Sequence, residues 1–105
     1  MKVRFNKPAK QEFLRIVSVF VDYAGQIYAD RFIDKVVDIA GQLSKFPYIG
    51  HPEQLLAGRK RLYRAIPINE NYRIIYYVSA TTVWLVDIWD RRRNPERLEK
   101  RIKGK

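Results

Sequence analysis

Two apolar stripes of helical period stand one after the other in this chain, with no strand-like run between them. Phe13, Ile16, Val17, Phe20 and Ala24 recur at helical spacing, and Phe32, Val36, Ile39, Leu43 and Phe46 step by four, three, four and three. Gly25 lies between the stripes and supplies the conformational freedom to turn the chain, while Pro47 stops the second stripe. Asn6 offers a side-chain oxygen as N-cap, and Pro8 is tolerated in a first helical turn, so the first helix is expected to begin there. A helical hairpin is therefore predicted, and it excludes an alternating parallel α/β fold.

The flanks read as strands. "KVRFN" alternates, with Val3 and Phe5 on one side and Lys2 and Arg4 on the other. The stretch from Pro47 to Arg61 has two prolines and two glycines and reads as a loop, with one helical turn at Glu53 to Leu56. Three strands rich in β-branched and aromatic residues are expected near Arg61 to Ile68, Tyr72 to Val78 and Val83 to Trp89. Pro95 then opens a short basic helix, Glu96 to Ile102, followed by a tail at Gly104. The predicted order is β-α-α-β-β-β-α, an α+β fold of two layers with the helical hairpin on one face of a mostly antiparallel four-stranded sheet. The opposite face is expected to stay open, walled partly by the last helix, and to display whichever of Arg64, Arg73 and their neighbours point away from the hairpin. An even-numbered turn between the last two strands pairs Arg73 with Ile88, and an odd-numbered one sets it opposite Asp87.

Composition narrows the class. A chain of 105 residues with 47% hydrophobic residues, no repeat and no long linker is expected to fold as a single domain, residues 1–105. It lacks an apolar run of roughly 18 residues, so no membrane span is expected. The start lacks the apolar core and cleavage site of a signal peptide, and the absence of cysteine fits a reducing compartment, so the cytoplasm is the expected location. With His51 the only imidazole, no metal site and no cofactor are expected. The formal charge of +10 is concentrated from Arg59 onward and points to an anionic partner: nucleic acid, an acidic protein or an anionic surface.

Few residues suggest chemistry. There is no phosphate-cradling glycine loop, paired-histidine motif or activated nucleophile. His51, between Gly50 and Pro52, reads as a solvated turn residue, and Asp87 and Asp90 are expected to orient arginines. Tyr72, Tyr76, Tyr77, Trp84 and Trp89 are either core or a platform on which bases stack. Arg64 and Arg73, inside predicted strands, need carboxylate, phosphate or open solvent, so phosphate recognition and an ion pair with Asp87 are both open.

The size, the element order, "FPYIGHPEQL" after the second helix, the Tyr-Arg pair of "NYRIIYYV" and the closing "IWDRRRNPERL" together resemble the RelE/ParE superfamily of bacterial toxins from type II toxin-antitoxin modules. The likeness covers nearly the whole chain. It implies a toxin held inactive by a cognate acidic antitoxin, as a homodimer or a toxin-antitoxin hetero-oligomer, with DNA gyrase (ParE-like) or ribosome-bound mRNA (RelE-like) as target. In RelE-like members a ribose 2′-hydroxyl is positioned to attack the neighbouring phosphate, and basic residues stabilise the charge that develops. Arg64, Arg73 and Arg91 match catalytic positions of that pattern. Ile66 stands where a second basic residue is usual and Arg97 where a tyrosine is usual, so the resemblance favours the ParE-like branch. Target contact is then expected from Arg59, Lys60, Arg61, Arg92, Arg93 and Arg97. A non-toxic basic binding module is the remaining alternative.

Overall fold

The computed structural model describes residues 1–102; the expected tail at Gly104 lies outside them. The elements are β1 (Lys2–Phe5), α1 (Lys7–Ala24), α2 (Gln26–Lys45), β2 (His51–Pro52), a 3-10 turn (Gln54–Leu56), β3 (Arg64–Pro67), β4 (Tyr72–Val78), β5 (Thr82–Asp90) and α3 (Pro95–Arg101). Asn6 caps α1 by accepting the Ala9 N–H at 2.9 Å, and Pro8 sits in the first turn. Gly25, at φ +90, ends α1 and opens α2 in a conformation that favours glycine. No helix among the described residues is long and apolar enough to cross a membrane.

The sheet runs β1-β5-β4-β3-β2. It has five strands rather than four, because His51 and Pro52 pair with Ala65 and Arg64 along the outer edge of β3. Two residues, one of them proline, carry no period by which a strand is recognised. β1 runs parallel to β5, which the intervening helices permit, and the other pairings are antiparallel. β3 starts at Arg64 rather than Arg61, since the segment before it turns at Gly58 (φ +84) and leaves Leu62 exposed.

One face of the sheet buries Ile74, Tyr76, Val83, Leu85 and Ile88 against Ile16, Phe32, Val36, Ile39 and Leu43 of the hairpin. The other face is not left open as expected. α3 and the 3-10 turn cover much of it, enclosing a second core of Leu56, Tyr63, Ala65, Ile75, Val86, Trp89, Leu98 and Ile102. Leu98 anchors α3 there because Asn94 caps the helix and Pro95 fixes its first turn, so the helix leaves β5 folded back across the strands.

The pairing of β4 with β5 departs from both expected registers. Val78 faces Val83 and Tyr76 faces Leu85, the register of an even-numbered turn, but Ile75 faces Asp87 and leaves Val86 unmatched. That one-residue bulge moves Arg73 opposite Trp89. It also turns Val86 and Asp87 to the α3 face while Leu85 and Ile88 keep the hairpin face.

A candidate basic interface

Arg73 projects from β4 toward the 3-10 turn. Its Nε donates to Glu53 Oε1 at 2.7 Å, with the side chains 17% and 7% exposed. The second Glu53 oxygen accepts the Leu55 N–H, so one buried carboxylate both caps the 3-10 turn and holds Arg73. Beside this pair lies an open groove of about 440 Å³, lined also by His51, Gln54, Pro67 and Arg91. Arg91 is fixed there by its backbone N–H to Asn71 O and by Nη1 to Glu70 O at 3.1 Å.

Arg64 does not join them. Alternation along β3 buries Ala65 under α3 and turns Arg64 to the other side, where Nη1 donates to Gly50 O at 2.7 Å and Tyr48 O at 3.3 Å. Of the three arginines matched to a nuclease pattern, Arg73 and Arg91 therefore share a groove, together with His51, and Arg64 fastens a loop. Neither Arg64 nor Arg73 pairs with Asp87. Arg73→Ala is expected to cost about 1–3 kcal/mol, since it strands the buried Glu53 carboxylate. Urea denaturation checks this, and adding Glu53→Gln should recover part of the loss.

The arginines after β5 differ from one another. Asp90 holds Arg92 in a two-point contact, Nε to Oδ1 and Nη2 to Oδ2, both 2.9 Å. These hydrogen bonds outweigh burial and keep the Asp90 carboxyl below the usual carboxylate range. The Arg92 guanidinium lies 5.8 Å from the Tyr72 ring centre. Burial, and then Asp90, push the Tyr72 phenol up. Arg93 is half-buried and lines a shallow hollow with Gln11, Arg15 and Arg101, while Arg97 is exposed on α3. Among the described residues no side-chain hydrogen bond engages either guanidinium.

Arg59 proves to be a cap: Nη2 donates to Glu99 O at 2.6 Å and Nη1 to Ile102 O, carbonyls at the end of α3. Arg61 lies over Tyr77, its guanidinium carbon 4.2 Å from the ring centre, and Lys60 is exposed. Tyr76, Tyr72 and Trp89 belong to the packed interior rather than to a binding platform. Tyr76 is fully buried with its hydroxyl accepting the Gly50 N–H, and burial pushes its phenol up. Tyr72 packs on Phe20 and Phe32, and Trp89 is 1% exposed. Tyr77 and Trp84 are only half-buried.

Sequence reasoning missed Arg101, which among the described residues joins two buried carboxylates. It donates to both Asp87 oxygens at 2.9 and 2.7 Å and to Glu12 Oε2 at 2.7 Å, joining α3, β5 and α1. Two signals for it existed: Asp87 inside an apolar strand, and Glu12 between Ala9 and Ile16 on the core face of α1. Burial opposes ionisation of Glu12, but Arg15 and Arg101 outweigh it and hold the carboxyl below its ordinary range. Deeper burial pushes the Asp87 carboxyl up despite Arg101.

The sequence matches, over residues 3–95, the family model described as ParE toxin of type II toxin-antitoxin system, parDE. No curated protein matches it. Among solved structures, the fold is similar to a chain of the chromosomal ParDE toxin-antitoxin system from P. aeruginosa, at TM-score 0.61 and 17% identity over 86% of this chain and 95% of that one. A YoeB/ParE toxin from Agrobacterium tumefaciens superposes at TM-score 0.57 and 14% identity, over 86% and 98% of the two chains. The YoeB dimer from Staphylococcus aureus gives 0.58 and 17%, over 83% and 92%. At these identities the likeness is one of fold.

Proposed function

The chain belongs to the ParE toxin family of type II toxin-antitoxin systems, and on that premise we propose that it arrests growth by binding its target rather than by cutting RNA, with DNA gyrase as the target and the cytoplasm as the place of action. The observation that carries this reading is the separation of the arginines. Arg64 faces the hairpin side and is fastened to Gly50 and Tyr48, Arg73 is held by Glu53, and Ile66 and Arg97 occupy the two remaining positions of the RelE-like pattern. Transition-state stabilisation at a phosphate requires preorganised cations converging on one point. Arg93, Arg97, Lys60 and Arg61 instead present positive charge on the outer surface, suited to an extended anionic or acidic partner. The same charge suits an acidic antitoxin as neutraliser.

Purified protein is expected to inhibit supercoiling by gyrase, and mRNA in translating ribosomes is expected to remain intact. One observation favours the RelE-like alternative: Arg73, Arg91 and His51 line a single groove. Codon-localised mRNA cleavage with unchanged supercoiling would select it. Normal growth at high soluble expression would select the non-toxic binding module.

A further inference from the structure

Among the described residues α3 covers only part of its sheet face, and the rest carries aromatic rings bordered by cations. Val3 and Phe5 of β1 pack toward the hairpin, so alternation turns Lys2 and Arg4 to the opposite side. Arg4 pairs with Trp84, and Trp84 with Tyr77, which places a guanidinium, an indole and a phenol in one row across three strands. Arg61 lies over Tyr77, and Tyr63 meets Tyr77 edge-on with ring centres 5.8 Å apart. A groove of about 370 Å³ opens at the Tyr77 end of this row, on Tyr63, Tyr77, Val86 and Arg61. It shares no lining residue with the groove of Arg73 and Arg91, and none of its lining residues is acidic. Arg101 reaches its wall with its charge already matched by Asp87 and Glu12.

We propose that this row is a second site, one that binds single-stranded nucleic acid by stacking bases on Trp84 and Tyr77 while Lys2, Arg4, Lys60 and Arg61 follow the phosphates. Rings half-buried in a sheet present fixed faces to bases, and stacking on such faces tolerates any base. The guanidinium of Arg61, over the Tyr77 ring, offers a further planar surface to a base. An acidic peptide gains from the four cations but has no planar groups to match the rings, so the aromatic row selects nucleic acid.

The test is titration of the full chain with fluorescein-labelled eight-residue oligouridine and oligothymidine, read by anisotropy, with unlabelled oligomer read by tryptophan emission. Because Trp89 is 1% exposed, quenching on binding should come from Trp84. Trp84→Leu is expected to weaken binding about tenfold; Tyr77→Leu serves as a second aromatic variant should Trp84→Leu fail to fold. The pair Lys60→Ala/Arg61→Ala should lose more affinity than the charge-matched pair Lys35→Ala/Lys45→Ala on α2. Equal losses from the two lysine-containing pairs, or unchanged affinity in a folded aromatic variant, would reduce binding to the diffuse attraction of a basic protein and overturn the proposal. So would quenching of Trp84 by a polyglutamate peptide with none by either oligomer.

Discussion

Arg101→Ala is expected to lower the free energy of unfolding by about 3–5 kcal/mol, the range for removing one partner from a buried ionic cluster. The magnitude follows from what is left behind. Asp87, 2% exposed, and Glu12, 8% exposed, both lose their shared cation, and Glu12 retains only Arg15. The guanidinium also lies 5.7 Å from the ring centre of Trp89, so the indole loses its cover as α3 loosens. Urea denaturation followed by tryptophan emission measures both effects, with a lower midpoint and a red shift expected before the main transition. The triple variant with Glu12→Gln and Asp87→Asn should recover much of the loss, because the penalty lies in unpaired buried charge. A lone Arg101→Ala chain as stable as the parent would mean that Leu98, Ile102 and the Arg59 cap hold α3 without the ionic cluster.

The two carboxylates also impose opposite pH dependence. The folded Glu12 carboxyl lies below its ordinary value of 4.5, so its contribution is present above that value and is lost as pH falls through the lowered one. The folded Asp87 carboxyl lies above its ordinary value of 3.8. Its contribution is therefore full below that value and is lost as pH rises through the raised one. Glu12→Gln should accordingly reduce the acid limb of a stability-pH profile below about pH 4.5, leaving the part that Asp90 contributes and the decline from Asp87.

The helices were legible because a helical stripe of five apolar residues repeats its signal, and Asn6, Gly25 and Pro47 mark its limits. β4 was read to the residue, since turn residues bracket an unbroken β-branched and aromatic run. The bulge at Val86 was not legible. "VWLVDIW" is apolar on both faces apart from Asp87, so an inserted residue breaks no alternation, and the register of Arg73 could not be counted through it. The same limit hid the charge pairs. Arg101 meets Glu12 across 89 positions and Arg73 meets Glu53 across 20, separations over which no local period carries information. Eight arginines were chosen from the basic C-terminal half as target contacts or catalytic groups without knowing which had carboxylates or carbonyls to serve. Arg59, Arg64, Arg73, Arg91 and Arg92 do have such partners.

That division among the arginines sets the size of the last expected effect. Replacing Arg93 and Arg97 together by alanine should weaken growth arrest and target inhibition at least tenfold, a change of about 1.4 kcal/mol in binding. Stability should stay within about 0.5 kcal/mol of the parent, because neither guanidinium is engaged by a side-chain hydrogen bond among the described residues and surface changes of this kind are near neutral. Arg92→Ala provides the contrast. It removes a cation already matched by Asp90 and uncovers that carboxylate, so it changes the local field by one unit of charge, as either single replacement does, while removing no free contact group. If the target reads fixed contacts, Arg92→Ala should be milder than Arg93→Ala or Arg97→Ala taken singly, and inhibition by the double variant should depend less on salt than that of the parent. If the target senses only net charge, each replacement should cost the same, and all losses should shrink together once the Debye length falls well below about 10 Å. Supercoiling inhibition at two salt concentrations, with melting temperatures measured alongside, separates these outcomes. A double variant that is both stable and fully inhibitory would remove the arginine cluster after β5 from the binding surface and leave that role to Lys60 and Arg61.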